Sequence, residues 1–147
     1  MTDIEPGTLL VDPARAGICF VDTRERDAMA DAALASGLKV VTVDLSAVRD
    51  KHTLIDAIAA ALEFPPESGH NWDALADSLG DLSWLPAEGY LLLLDHVGAW
   101  RTAEPDQFAT ALEILDDAAR TWSAQRVPFW TLVPLSAQAL DEVVEPD

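Results

Sequence analysis

The chain has 147 residues, half of them apolar, which suits one domain with a real core and argues against disorder. Its 26 acidic and 9 basic side chains leave a net charge of −17, which opposes binding to nucleic acid or to an anionic membrane and favours a basic protein partner. The longest apolar run, Tyr90 to Leu94, is too short to cross a bilayer, Met1 to Gly7 lack the character of a signal peptide, and the single Cys19 has no internal partner, so a cytoplasmic location is expected.

Residues 1–16 are mixed, and Leu9 to Val11 are expected to form a short edge strand. Gly17 to Asp22 is apolar and β-rich, a predicted strand with Cys19 as a small buried hydrophobe. Thr23 to Ser36 reads as a helix capped by Asp22 or Thr23, with Met29, Ala33 and Leu34 inward and Gly37 as its stop. Lys39 to Leu45 is rich in β-branched residues and reads as a strand. A helix between two strands predicts a right-handed crossover and parallel pairing.

Asp50 to Leu62 keeps a 3.6-residue period through Leu54, Ile55, Ile58, Ala61 and Leu62, and this helix must end before Pro65. Two prolines and Gly69 then force a loop. Asn71 fits an N-cap, Trp72, Leu75 and Leu79 form the buried stripe of a short helix, and Gly80 is its expected stop. Asp81 to Gly89 is a turn-rich connection. Tyr90 to Asp95 is nearly all leucine, and its length and flanks predict a strand covered on both faces.

Pro105 to Ser123 is helical, with Phe108, Leu112, Leu115, Ala119 and Trp122 as its stripe. Val127 to Val133 is the last predicted strand, ended by Pro134. The tail adds one amphipathic helix (Leu135, Leu140 and Val143 or Val144) before an acidic end. Alternating strands and helices define an α/β sheet, mostly parallel.

No Gly-rich phosphate loop, no serine nucleophile motif and no Cys–His pair at metal spacing occurs. His52 reads as solvated, and His96 sits at a strand end, where many α/β sites lie. Asp73 and Asp77, four residues apart, share one helix face turned away from Trp72 and Leu75. Their repulsion costs roughly 0.2–0.5 kcal/mol, and a helix built for stability alone would more readily carry Lys at 77. The plain alternative is a solvated face on an acidic protein. With Asp117 they would also suit Mg²⁺ or Ca²⁺ if the two helices met, which keeps a metal-dependent hydrolase open. That region is almost free of bases to hold a substrate. An inhibitor needs none, because its partner supplies them.

The string Phe64-Pro-Pro-Glu-Ser-Gly69-His-Asn71-Trp72-Asp73-Ala74-Leu75-Ala-Asp77-Ser-Leu79 resembles the barstar family, intracellular inhibitors of barnase-type ribonucleases. The resemblance implies a fold of three parallel core strands packed with helices over about residues 38–133. Residues 1–37 are then an added strand–helix unit and 134–147 an acidic tail, within one domain. It implies no catalysis and no cofactor, but one-to-one binding of a basic ribonuclease or toxin domain, as an immunity protein does. Asp73 and Asp77 would supply the motif carboxylates, and Asp117 a third on the helix before the last strand. Glu67, Ser68, Gly69, His70 and Asn71 would cover the mouth of the partner's active site. Glu67 and Ser68 stand where the family pattern leads one to expect aromatics, and Ala76 where an aromatic can occur. These departures keep open a binding module for a partner that is not a nuclease.

Overall fold

The computed structural model describes residues 10–144, and the side chains of residues 10–141. Strand β1 is Ile18–Asp22, and a 3₁₀ turn, Thr23–Glu25, leads into helix α1, Arg26–Ala35. Strand β2 (Lys39–Asp44), helix α2 (Lys51–Ala61) and helix α3 (Trp72–Asp81) follow. Then come β3 (Tyr90–Asp95), α4 (Gly98–Ala103), α5 (Pro105–Ala124), β4 (Phe129–Leu135) and α6 (Ala137–Val144). The strands form one parallel sheet in the order β1-β4-β3-β2. The mixed α/β class and its parallel sheet agree with the sequence reading.

The alternation of side chains along the strands splits the core in two. Tyr90, Leu92, Leu94, Phe129, Val133 and Leu135 meet α2, α3 and α5 on one face. Leu91, Leu93, Trp130 and Leu132 meet Leu10 and the α1 residue Ala33 on the other. Five of six β3 residues and all of β4 are buried, which is why these strands read as unbroken apolar runs.

The crossover from β1 to β2 does not join neighbours. It carries the chain across the second face to the far edge of the sheet, and the return through β3 to β4 runs over the first face. Reversing both direction and face keeps one hand for every crossover. β1 therefore pairs with β4, from Ile18 opposite Thr131 to Asp22 opposite Leu135. β4 is buried throughout and needs a strand on each side.

Several local expectations are corrected. No strand forms at Leu10–Val11; Leu10 is fully buried, and its carbonyl accepts the indole N–H of Trp130 at 2.9 Å. Leu9 lies outside the described residues. On α1 it is Ala33 that is buried, while Leu34 is 59% exposed. Gly37 does end that stretch, at φ +88°. Helix α3 runs through Gly80 and stops where Leu82 takes φ +47°. Leu82 is itself buried, and anchoring that side chain sets the end of the helix.

Pro134 lies inside β4, opposite Val21. The β3–β4 pairing reaches only Leu93–Leu132, so β1 alone flanks the proline in register. Helix α4 was not anticipated. In the tail, Leu135 belongs to β4 and Leu140 packs on the core, while the side chains of Val143 and Val144 and the acidic end lie outside the described residues. Among the described residues no helix is long and apolar enough to cross a membrane.

Candidate functional site

The motif loop begins at the end of α2. Glu63 adopts φ +57°, and the N–H groups of Glu63 and Phe64 bond back to the carbonyls of Ala60 and Ala59 at 3.3 and 2.9 Å. This is a Schellman closure with glutamate in the left-handed position. It aims Phe64 edge-on at Trp84, with ring centroids 5.7 Å apart. Trp84 donates its indole N–H to the Leu62 carbonyl at 3.0 Å and so pins the loop's entry.

Beyond it, Ser68 N–H bonds to the Pro65 carbonyl at 3.0 Å, closing a tight turn. A Cβ on Gly69 would stand 3.0 Å from that of Ala74, tighter than ordinary contact, so glycine lets the loop lie close on the helix. Asn71 caps α3: its Oδ1 accepts the Ala74 N–H at 2.7 Å. His70 Nδ1 lies 3.0 Å from Oδ1 of Asp56 on α2.

Leu75 and Leu79 are fully buried, and half-buried Trp72 packs at the rim of the same core. Trp122 of α5 donates its indole N–H to the Leu79 carbonyl at 2.8 Å, and Gly80 lies close to Thr121, so α3 is fixed along α5. The outer face of α3 carries Asp73, Ala76 and Asp77, all exposed. Asp81, exposed one turn further on, extends this row; the sequence reading left it out, although its i, i+4 spacing from Asp77 was visible.

Asp117 is exposed on α5, the helix against which α3 packs, whereas its neighbour Asp116 turns to Arg120 at 3.0 Å. Among the described residues, the side chains of Asp73, Asp77 and Asp117 make no hydrogen bond or ion pair. Glu67, Gly69, His70 and Asn71 are exposed and Ser68 is half-buried. No Lys or Arg occurs between Lys51 and Arg101, so the loop and helix form an acidic patch with no lysine or arginine of their own. Among the described residues no three His, Cys, Asp or Glu side chains stand together as a metal site requires, so the three aspartates do not converge on one ion.

A second concave region, about 490 Å³, lies at the carboxyl ends of β1, β3 and β4, lined among others by Thr23, Arg26, Asp95, His96 and Ser136. Its main polar groups are already paired. Arg26 binds Asp95 and Asp27, and His96 Nδ1 lies 3.0 Å from Asp44 Oδ1.

A parallel sheet wrapped by helices on both faces, with an acidic helix and loop on its rim, defines a protein of the α/β class. A family profile described as Barstar (barnase inhibitor) matches residues 38–134, and the chain belongs to that family. No curated protein gave a significant match. Among solved structures, the chain resembles the ORC2 protein of Aeropyrum pernix, determined in ADPNP–ADP complexes. The TM-score is 0.53 at 16% identity, over 89% of this chain and 38% of that one. At that identity the likeness is one of fold alone.

Proposed function

We propose that the protein is an intracellular inhibitor or immunity protein that binds the cationic active site of a ribonuclease, or of a related toxin domain, one to one and occludes it without turnover. The observation that carries this reading is the row of Asp73 and Asp77. Both are exposed and, among the described residues, without side-chain partners, on a helix held in place by Trp122 and entered through a loop held by Trp84. A nuclease holds phosphates with Arg, Lys and His, and carboxylates at those positions imitate the substrate. Asp77 is the central charge, Asp73 flanks it, and Asp117 is the third. Glu67, Ser68, Gly69, His70 and Asn71 form the rim. The charge of −17 speeds capture of a basic partner and disfavours nucleic acid and anionic membranes. One cysteine and no internal disulfide suit the reducing cytoplasm.

Calorimetric titration with a barnase-type ribonuclease tests the reading. Asp77→Ala is expected to weaken binding by roughly 2–5 kcal/mol, the usual cost of truncating one member of a buried interfacial charge pair. A loss under about 0.5 kcal/mol would remove Asp77 from the interface, since even exposed pairs reach that range. A second reading rests on Glu67 and Ala76, both exposed where apolar anchors would add affinity. It makes the same surface a docking face for a basic protein that is not a nuclease, which capture of such a protein with no nuclease activity would select.

A further inference from the structure

We propose that Asp56 is a positioning residue for the docking loop: it holds His70 in the tautomer with hydrogen on Nδ1, so that Nε2 offers a lone pair to a donor on the cationic partner. The proposal rests on the inhibitor reading and adds a residue outside the motif to it.

An ionised carboxylate only accepts hydrogen bonds, so at the 3.0 Å contact it is His70 Nδ1 that donates to Asp56 Oδ1. In a neutral imidazole the other nitrogen is then an acceptor. Nε2 makes no hydrogen bond among the described residues, and the His70 side chain is 67% exposed, so a partner can reach it. Asp56 stands on α2, 14 residues earlier, on an element that the core fixes through Leu54, Ile55 and Ile58. It is the only side-chain hydrogen bond tying residues 65–70 to α2 among the described residues.

The polarity of the patch gives this contact its use. Glu67, Asp73 and Asp77 present acceptors only, and a pocket that holds phosphates presents donors only. An imidazole free to place its hydrogen on Nε2 would set donor against donor. The Asp56 contact removes that state before docking, which lowers the cost of ordering the loop.

Nitrogen-15 spectra of the free chain at about pH 8, where an ordinary imidazole is neutral, read the tautomer directly. Hydrogen on Nδ1 is expected in the wild type and a shift toward Nε2 in Asp56→Asn, with Asp56→Glu restoring the first state. In titrations with a barnase-type ribonuclease, Asp56→Asn should weaken binding roughly three- to tenfold, the range for a charge-assisted hydrogen bond between exposed groups. In a His70→Ala background the same change should cost almost nothing. A wild-type ring with hydrogen on Nε2, or an Asp56→Asn penalty undiminished when His70 is absent, overturns the proposal. Failure of the inhibitor reading looks different: no variant titrates at all, while the spectra of the free chain still decide the tautomer.

Discussion

Arg26 and Asp95, 69 residues apart, meet through two parallel hydrogen bonds: Nε to Oδ1 at 2.8 Å and Nη2 to Oδ2 at 2.7 Å. The pair joins the start of α1 to the carboxyl end of β3, and so ties the N-terminal unit to the family-matched core. The side chains are 31% and 15% exposed, so solvent screens the contact only in part. Asp95, helped by Asp27, pushes the guanidinium well above its ordinary range. Asp95→Asn is expected to cost about 1–3 kcal/mol, between the values for exposed and fully buried pairs. Urea unfolding measures it, and a shift under about 0.5 kcal/mol would place the pair with screened surface contacts.

Acid should unfold the protein through three other carboxylates. Hydrogen bonds from the Arg24 side chain, and then from its backbone N–H, hold Asp22 below the usual range. The Ser46 N–H, then His96, do so for Asp44, and the Thr53 N–H for Asp50. Each depressed group contributes stability that is fully present above its unfolded pKa, near 4, and is lost as pH falls through the lower folded value. The urea midpoint should therefore stay level from about pH 7 to about pH 5 and fall below about pH 4. A midpoint that rises on acidification would mean that relief of repulsion among 26 acidic side chains outweighs these bonds.

Gly89 precedes β3 at a crowded point. A Cβ there would overlap Leu38 and stand 2.8 Å from Cγ of Pro128, both buried. Its carbonyl also accepts the Lys39 N–H at 2.9 Å, which starts the β2–β3 ladder. Gly89→Ala is expected to destabilise by about 1–3 kcal/mol through overpacking, read as a lowered melting temperature. An unchanged melting temperature would show that Leu38 yields freely.

Thr131 lies in the middle of β4, 1% exposed, and its Oγ1 has no hydrogen-bond partner among the described residues. Valine has the same branching without the polar atom. Thr131→Val should be neutral or stabilise by up to about 1 kcal/mol, because it removes an unmet acceptor and donor. A loss beyond about 1 kcal/mol would mean that the hydroxyl has a bonded partner.

Much of the fold was legible because the signals were local. Tyr90 to Asp95 could be placed by length and flanks, and Asn71 by its chemistry as a cap. The exposure of Asp73 and Asp77 followed from their spacing against Leu75 and Leu79. What escaped was decided at a distance. The choice of β4 rather than β2 as the partner of β1 depends on a long-range pairing that no window around Gly17 to Asp22 contains. Pro134 was read as a stop because its harmless place, past the last β3–β4 pair, is a property of register. Gly80 gave way to Leu82 because a buried side chain outweighed the easier backbone of glycine. Helix α4 is six residues long, too short to show a period. The contact of His70 with Asp56 crosses a loop and carries no signal in spacing.

The placement of β1 also bears on how the chain tolerates shortening. A version beginning at Leu38 would keep the family-matched stretch, yet leave one side of β4 without its strand partner from Thr131 to Leu135, residues that are now all buried. Exposed, flat and apolar strand margins recruit other chains. Such a fragment is expected to form oligomers or precipitate more readily than the full chain, and the leading segment would then guard against self-assembly.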